Sequence, residues 1–143
     1  MRARQFSWLT LSVVGAVMGL AALWVALTPT GDQTELRDRT WDQFTQQDPE
    51  VASLYSMDLV VLGSLGAGFG FLIVAVAVVP FRQGERWAWA VLWLAPITIG
   101  AVALRMLASQ YATGYFYAAL AAAALVALLL PARGFIRRSA LRR

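Results

Sequence analysis

The stretch DPEVASLYSMDLVVLGSLGAGFGFLIVAVAVV, residues 48–79, decides how the rest of the chain is read. It has the pattern of one long helix that begins in water and ends in a bilayer. Asp48 offers a side-chain acceptor to the free N–H groups of a first turn. Pro49 suits the first helical position, where its missing N–H would have no partner anyway. Glu50 adds negative charge at the positive end of the helix dipole. A helix from Pro49 to Val79 is about 45 Å long, against a hydrocarbon core of about 30 Å, so its first turns are expected to stand outside the membrane. Val51, Leu54, Tyr55, Asp58 and Leu62 fall on one face at helical spacing. That spacing places Asp58 on an apolar stripe at the membrane entrance.

Composition supports this setting. The chain has 143 residues, 59% hydrophobic and 14% charged, where soluble domains carry about 25% charged residues. With several apolar runs of about 20 residues, it belongs to the membrane class, and its length suits one domain. Cysteine and histidine are both absent. Disulfides, thiol relays, histidine-ligated haem or zinc and a Ser-His-Asp triad are therefore excluded, and a metal site would need carboxylates alone. No metal or other cofactor is expected. All twelve basic residues are arginine, so there is no lysine for a Schiff base or a phosphate-binding loop.

The net charge of +4 conceals a split along the chain. Between Asp32 and Asp58 there are seven acids (Asp32, Glu35, Asp38, Asp42, Asp48, Glu50 and Asp58) and only two arginines, Arg37 and Arg39. The one other acid is Glu85. The remaining arginines lie near the N-terminus, in the segment PFRQGERW (80–87) and in the C-terminal tail, with Arg105 as the exception. This pattern encodes membrane topology rather than attraction to nucleic acid.

The expected fold is all-α: a four-helix transmembrane bundle in one domain. Its spans are placed at about 8–27, 58–79, 88–108 and 115–131, with an extracytoplasmic helical loop over 28–57 and a basic cytoplasmic tail over 132–143. The first span is longer than the apolar core of a signal peptide, and no small-x-small cleavage site follows it, so a retained helix is expected. Gly15 and Gly19 form a GxxxG, as do Gly66 and Gly70, and such spacing permits close helix approach. In the loop, Asp32 with Glu35 resembles a capping box. A short helix is predicted from Gln33 to about Gln46, with Trp41 and Phe44 one turn apart, packed on protein at the bundle mouth. Trp87, Trp89 and Trp93 at one end of the third span, and Tyr111, Tyr115, Phe116 and Tyr117 beyond the other, form interfacial belts. Pro96 and Gly100 predict a kink. The arginine clusters place both termini and residues 80–87 in the cytoplasm, consistent with a bacterial plasma membrane protein.

Two constellations are candidates for function. An antiparallel arrangement sets Asp58 and Arg105 at similar depth near the outer surface. A carboxylate facing the guanidinium would offset the cost of an intramembrane charge. The pair is either a structural ion pair or the floor of a polar pocket beneath Trp41 and Phe44, with Tyr55 one turn away and Arg105 holding an anionic group. No second acid lies in the other spans, so paired-carboxylate catalysis lacks support, and no catalytic residue is assigned. The second constellation, Arg82, Glu85, Arg86 and Trp87, is either a solvated turn with a local ion pair or a docking surface for a partner. The function expected is non-catalytic binding of a lipid or partner protein at the outer mouth, with membrane lipids, a membrane-protein partner or a second copy as partners. The alternative is a membrane enzyme or carrier for a lipophilic or anionic substrate that uses Asp58 and Arg105.

The run PFRQGERWAWAVLW, preceded by TGDQTELRDRTWDQFTQQDPEV, resembles a group of small bacterial four-helix membrane proteins. These share a Gly/Thr-rich external loop, an Asp-Pro before the second span and an Arg-x-Gly-Glu-Arg-Trp-Ala-Trp turn. The matching positions are Trp41, Asp48, Pro49, Arg82, Gly84, Glu85, Arg86, Trp87 and Trp89. The resemblance covers roughly residues 30–93. It implies the four-pass topology and carries no activity.

Overall fold

The structure is a computed structural model that describes residues 2–29 and 40–132. All secondary structure among these residues is helical: α1 (Arg2–Leu27), α2 (Trp41–Gln47), α3 (Pro49–Val76), a π-helical turn (Ala77–Phe81), α4 (Arg86–Leu92), α5 (Leu94–Ala108) and α6 (Thr113–Leu129). Three runs, Gln5–Leu27, Pro49–Phe81 and Arg86–Ala108, are long and apolar enough to cross a membrane. They match the first three expected spans. At the place of the expected fourth span lies a shorter apolar helix, α6, which has 17 residues and covers about 25 Å. The chain divides into two compact units, Val17–Gly70 and the remainder, described in turn.

In Val17–Gly70, the second half of α1 packs against α3 backbone to backbone. A Cβ added at Gly63 would lie 2.7 Å from both the Ala22 carbonyl oxygen and the Ala26 nitrogen, and one at Gly66 would lie 2.9 Å from the Ala22 Cβ. Gly19, Ala52, Gly63, Ala67 and Gly70 are all buried. The large residues point the other way, with Leu54, Leu62 and Leu65 about two-thirds exposed at 66%, 64% and 67%. This shows which way the apolar stripe of the second span faces. Of its members, Val51, Leu54, Asp58 and Leu62 are exposed and only Tyr55 is half-buried. The physical reason lies in the solvent. Acyl chains are as apolar as leucine, so helices associate through small residues that let backbones meet, and bulky residues are left to the lipid.

The described helix of the loop runs from Trp41 to Gln47, and Thr40 caps it. The Gln43 N–H donates to the Thr40 hydroxyl at 3.3 Å, and the Thr40 N–H donates to the Gln43 side-chain oxygen at 3.1 Å. This reciprocal box, Thr-x-x-Gln, is where the helix begins. The Asp32–Glu35 box and the predicted helical residues 33–39 lie outside the described residues. One residue, Asp48, separates α2 from α3, and its carbonyl accepts from the Ala52 N–H at 2.9 Å. Pro49 opens α3 as expected.

In the other unit, Pro80 sets the end of the second apolar run. It has no N–H to donate, and its ring crowds the carbonyl four residues earlier, so the helix widens to π spacing. The Arg82 N–H then reaches back to the Ala77 carbonyl, and the Glu85 N–H to the Pro80 carbonyl at 3.0 Å. Gly84, with φ 90°, takes the left-handed conformation that lets the chain reverse. The helix resumes at Arg86.

The expected kink in the third span falls at Trp93, between α4 and α5. Pro96 cannot donate to the Leu92 carbonyl, and the bonds around the break are long. The Trp93 N–H bonds the Ala90 carbonyl at 3.3 Å, and the Ile97 N–H the Trp93 carbonyl at 3.4 Å. Gly100 lies inside unbroken helix and makes no kink. It faces α6 instead, where an added Cβ would meet the Ala121 Cβ at an ordinary 3.9 Å.

α5 and α6 form a hairpin and pack together along their length. Its turn places Gln110 at φ 63°. It also brings Gly114 so close to Leu107 that an added Cβ would stand 2.8 Å from Cγ and 2.9 Å from the backbone nitrogen. At the other end, the Trp89 indole N–H donates to the Leu128 carbonyl at 3.1 Å. This acceptor lies near the end of α6, where the last carbonyls have no helical partner. Leu11, Phe81, Ile99 and Leu128 are the largest apolar side chains almost fully buried.

Candidate binding site

Unit Val17–Gly70 brings two of the four outer-mouth residues together. α2 folds back on the start of α3, so that Trp41, Phe44 and Tyr55 make a triangle of rings. Their centroid separations are 5.7 Å (Trp41–Phe44), 6.0 Å (Trp41–Tyr55) and 6.5 Å (Phe44–Tyr55). The tilted and edge-to-face geometries set positive ring edges toward negative faces, worth about 0.5–1.5 kcal/mol per pair beyond burial. The capping box fixes where α2 starts. Phe44 then falls one turn after Trp41 on the same side. No residue of α2 is buried, so the rings form a platform at the surface of the unit, not a core.

Asp58 follows Tyr55 by one turn of α3 and is exposed. Arg105 belongs to the other unit and is exposed as well. It stands in the last turn of α5, where its charge complements the negative end of the helix dipole. That interaction gives Arg105 a structural role independent of any partner.

The second constellation surrounds the π-helical turn. Arg82, Glu85, Arg86 and Trp87 are all exposed. Glu85 is the N-cap of α4 but makes no side-chain capping bond. Arg82 has a partner that sequence reasoning did not assign to it. Its guanidinium carbon lies 5.1 Å from the centroid of the Trp8 ring, a cation–π contact. The available signal was weak: a tryptophan at the start of an apolar run and an arginine just past the end of another, at the same end of two expected antiparallel spans.

Two open grooves accompany these features. One, of about 350 Å³, is lined by Gln47, Asp48, Pro49, Glu50 and Val51 at the α2–α3 junction. The other, of about 210 Å³, is apolar and runs between α5 and α6, lined by Trp93, Pro96, Ile97, Ala121, Ala122 and Leu125. Neither includes Asp58 or Arg105 in its lining. Among the described residues no group of three or more acids, histidines or cysteines could hold a metal ion. The side chains at these surfaces offer ring faces, a carboxylate and guanidinium groups. Comparison with family models, curated proteins and solved structures finds no match.

Proposed function

We propose that the protein is a non-catalytic, four-pass membrane protein that holds a lipid headgroup or a partner protein at its outer mouth. Trp41 and Tyr55 supply the platform, and Asp58 the charge. The observation that carries this proposal is the ring triangle. Two aromatic residues of a short capped helix are folded onto a third, one turn before an exposed intramembrane-edge carboxylate. Amphipathic rings of this kind favour the headgroup zone. The tight Ala22–Gly63 approach supports a packed scaffold rather than a substrate chamber. Under this proposal the arginine clusters keep both termini and the Arg82–Trp87 turn in the cytoplasm, and the Trp41–Tyr55 surface faces outward.

The natural absence of cysteine provides a topology test. Single cysteines at Ser53 and Ser109 are expected to react with an impermeant maleimide on intact cells, and one at Gln83 only after permeabilisation. The reverse pattern would overturn the orientation. For binding, native mass spectrometry of the wild type is compared with Trp41→Ala, Tyr55→Ala and Asp58→Asn. Each substitution is expected to deplete the same copurifying lipid or subunit. Retention of every bound species in all three variants would refute the outer-mouth site.

A further inference from the structure

The turn that joins the π-helical end of the second apolar run to α4 carries a built cation site at the other end of the spans. The Arg82 guanidinium stacks on Trp8, with Cζ 5.1 Å from the ring centroid. The contact is with a ring face, and a guanidinium carries five N–H donors for oxygen acceptors beside it. The side chain is exposed, and among the described residues no carboxylate or carbonyl accepts from it.

Both halves of the stack are held from below. The Arg82 backbone N–H is bonded to the Ala77 and Val79 carbonyls. The preceding Phe81 is fully buried. Trp8 rides on α1 between Ser7 and Leu11, both fully buried. The guanidinium is thus presented on a fixed mount rather than on a loose loop.

Its depth and charge name the ligand. Trp8 stands near the start of the apolar run Gln5–Leu27, and Arg82 directly follows the apolar run that ends at Phe81. Tryptophan at the end of a span sits at headgroup level, so a guanidinium resting on its ring sits there too. The turn 82–87 carries Arg82 and Arg86 against the single acid Glu85, and the sequence adds Arg2 and Arg4 at the start of α1. A planar, permanently charged fork matches the paired oxygens of a phosphate.

We propose that Arg82, stacked on Trp8, is a binding site for the phosphate of an anionic phospholipid. Trp8 positions the guanidinium at the headgroup plane, and the local positive excess selects lipids of net negative charge over zwitterionic ones. Glu85, beside the site, limits its affinity. The site is separate from the outer mouth and does not require that proposal to hold.

The test uses the full chain in nanodiscs of mixed phosphatidylcholine and phosphatidylglycerol, released into native mass spectrometry and read as the ratio of bound phosphatidylglycerol to bound phosphatidylcholine. Arg82→Gln is expected to lower the ratio roughly fivefold, as for one basic residue at a charged membrane surface. Arg82→Lys keeps the charge but loses the flat fork and should fall between. Trp8→Leu, which leaves Arg82 in place but unmounted, should lower the ratio about two- to fivefold. Glu85→Gln should raise it. Gly68→Ala, where nothing lies within 4 Å of the added methyl, is the control and should leave the ratio unchanged.

Wild-type selectivity in Arg82→Gln, or an equal loss in Gly68→Ala, overturns the site. So does unaltered selectivity in Trp8→Leu with Arg82→Gln reduced, because Trp8 then mounts nothing. Selectivity lost only when an acidic soluble protein is removed from the preparation would transfer the site to a protein partner and overturn it likewise. Circular dichroism of each variant excludes loss of helix as the cause. Arg82→Lys, being conservative, keeps the comparison interpretable.

Discussion

Alanine substitutions at Gly63, Gly66 and Gly68 place the same methyl group on the same helix in three different surroundings. At Gly63 the new Cβ meets two backbone atoms of α1 at 2.7 Å and the Ala26 Cβ at 2.9 Å, where ordinary contact begins at 3.4 Å. The opposing atoms are main chain, so relief requires α1 and α3 to separate. At Gly66 the single close neighbour is the Ala22 Cβ at 2.9 Å, and at Gly68 nothing lies within 4 Å. Overpacking of this kind costs about 1–3 kcal/mol. Glycine in a helix is in turn about 1 kcal/mol worse than alanine in water. Gly68→Ala is therefore expected to be neutral or stabilising by up to about 1 kcal/mol. Gly63→Ala should destabilise by about 1–2 kcal/mol net, with Gly66→Ala between the two. The measurement is reversible unfolding by sodium dodecyl sulfate in mixed micelles, followed by tryptophan fluorescence. A Gly63→Ala protein as stable as Gly68→Ala would refute backbone contact between α1 and α3, and with it the small-residue interface described for that unit.

Two further substitutions test local anchors. Trp89→Phe keeps the ring but removes the donor to the Leu128 carbonyl, and should cost about 1–2 kcal/mol in the same unfolding assay, since a buried acceptor loses its partner. A change below the noise of the assay would show that the carbonyl is satisfied otherwise. Thr40→Ala breaks the capping box of α2, worth about 1 kcal/mol. In a seven-residue helix that loss should be enough to fray it, seen as faster proteolysis near Gln43 and a red shift in Trp41 emission, with the spans unaffected. Unchanged cleavage would mean that the ring triangle alone holds α2.

The apolar spans were legible because length and composition govern them and neither depends on packing. Pro49 and Pro96 were also legible, since a missing N–H has the same effect in any tertiary setting. The packed face was legible in part: Gly66 marked a place of close helix approach, and it lies against Ala22 of α1. The direction of Val51, Leu54 and Leu62 was not, because their spacing groups them on one face without saying what that face meets. In lipid the glycines and alanines between them mark the contact. Pro80 gave its position but not its consequence, because a proline can end a helix or widen it. The outcome is set by the neighbouring residues, since Phe81 is buried and Gly84 can turn. Thr40-x-x-Gln43 was readable in the same way as Asp32-x-x-Glu35, which lies outside the described residues. Tyr55 and Trp41 were readable as members of one site. The stack of Arg82 on Trp8 joins residues 74 positions apart in sequence, and local pattern does not encode it.

The unequal lengths of the apolar helices bear on where the protein can reside. The run Pro49–Phe81 has 33 residues, whereas α6 has 17. If α6 crosses, lipids beside it must shorten their reach by several Å, by disordering or by exchange for shorter acyl chains. Beside the longer run the same bilayer meets excess apolar length and is matched by tilt. A molecule with such opposed demands deforms its surrounding shell of lipid asymmetrically. It would therefore partition toward thin, pliant regions of membrane and away from thick, ordered ones.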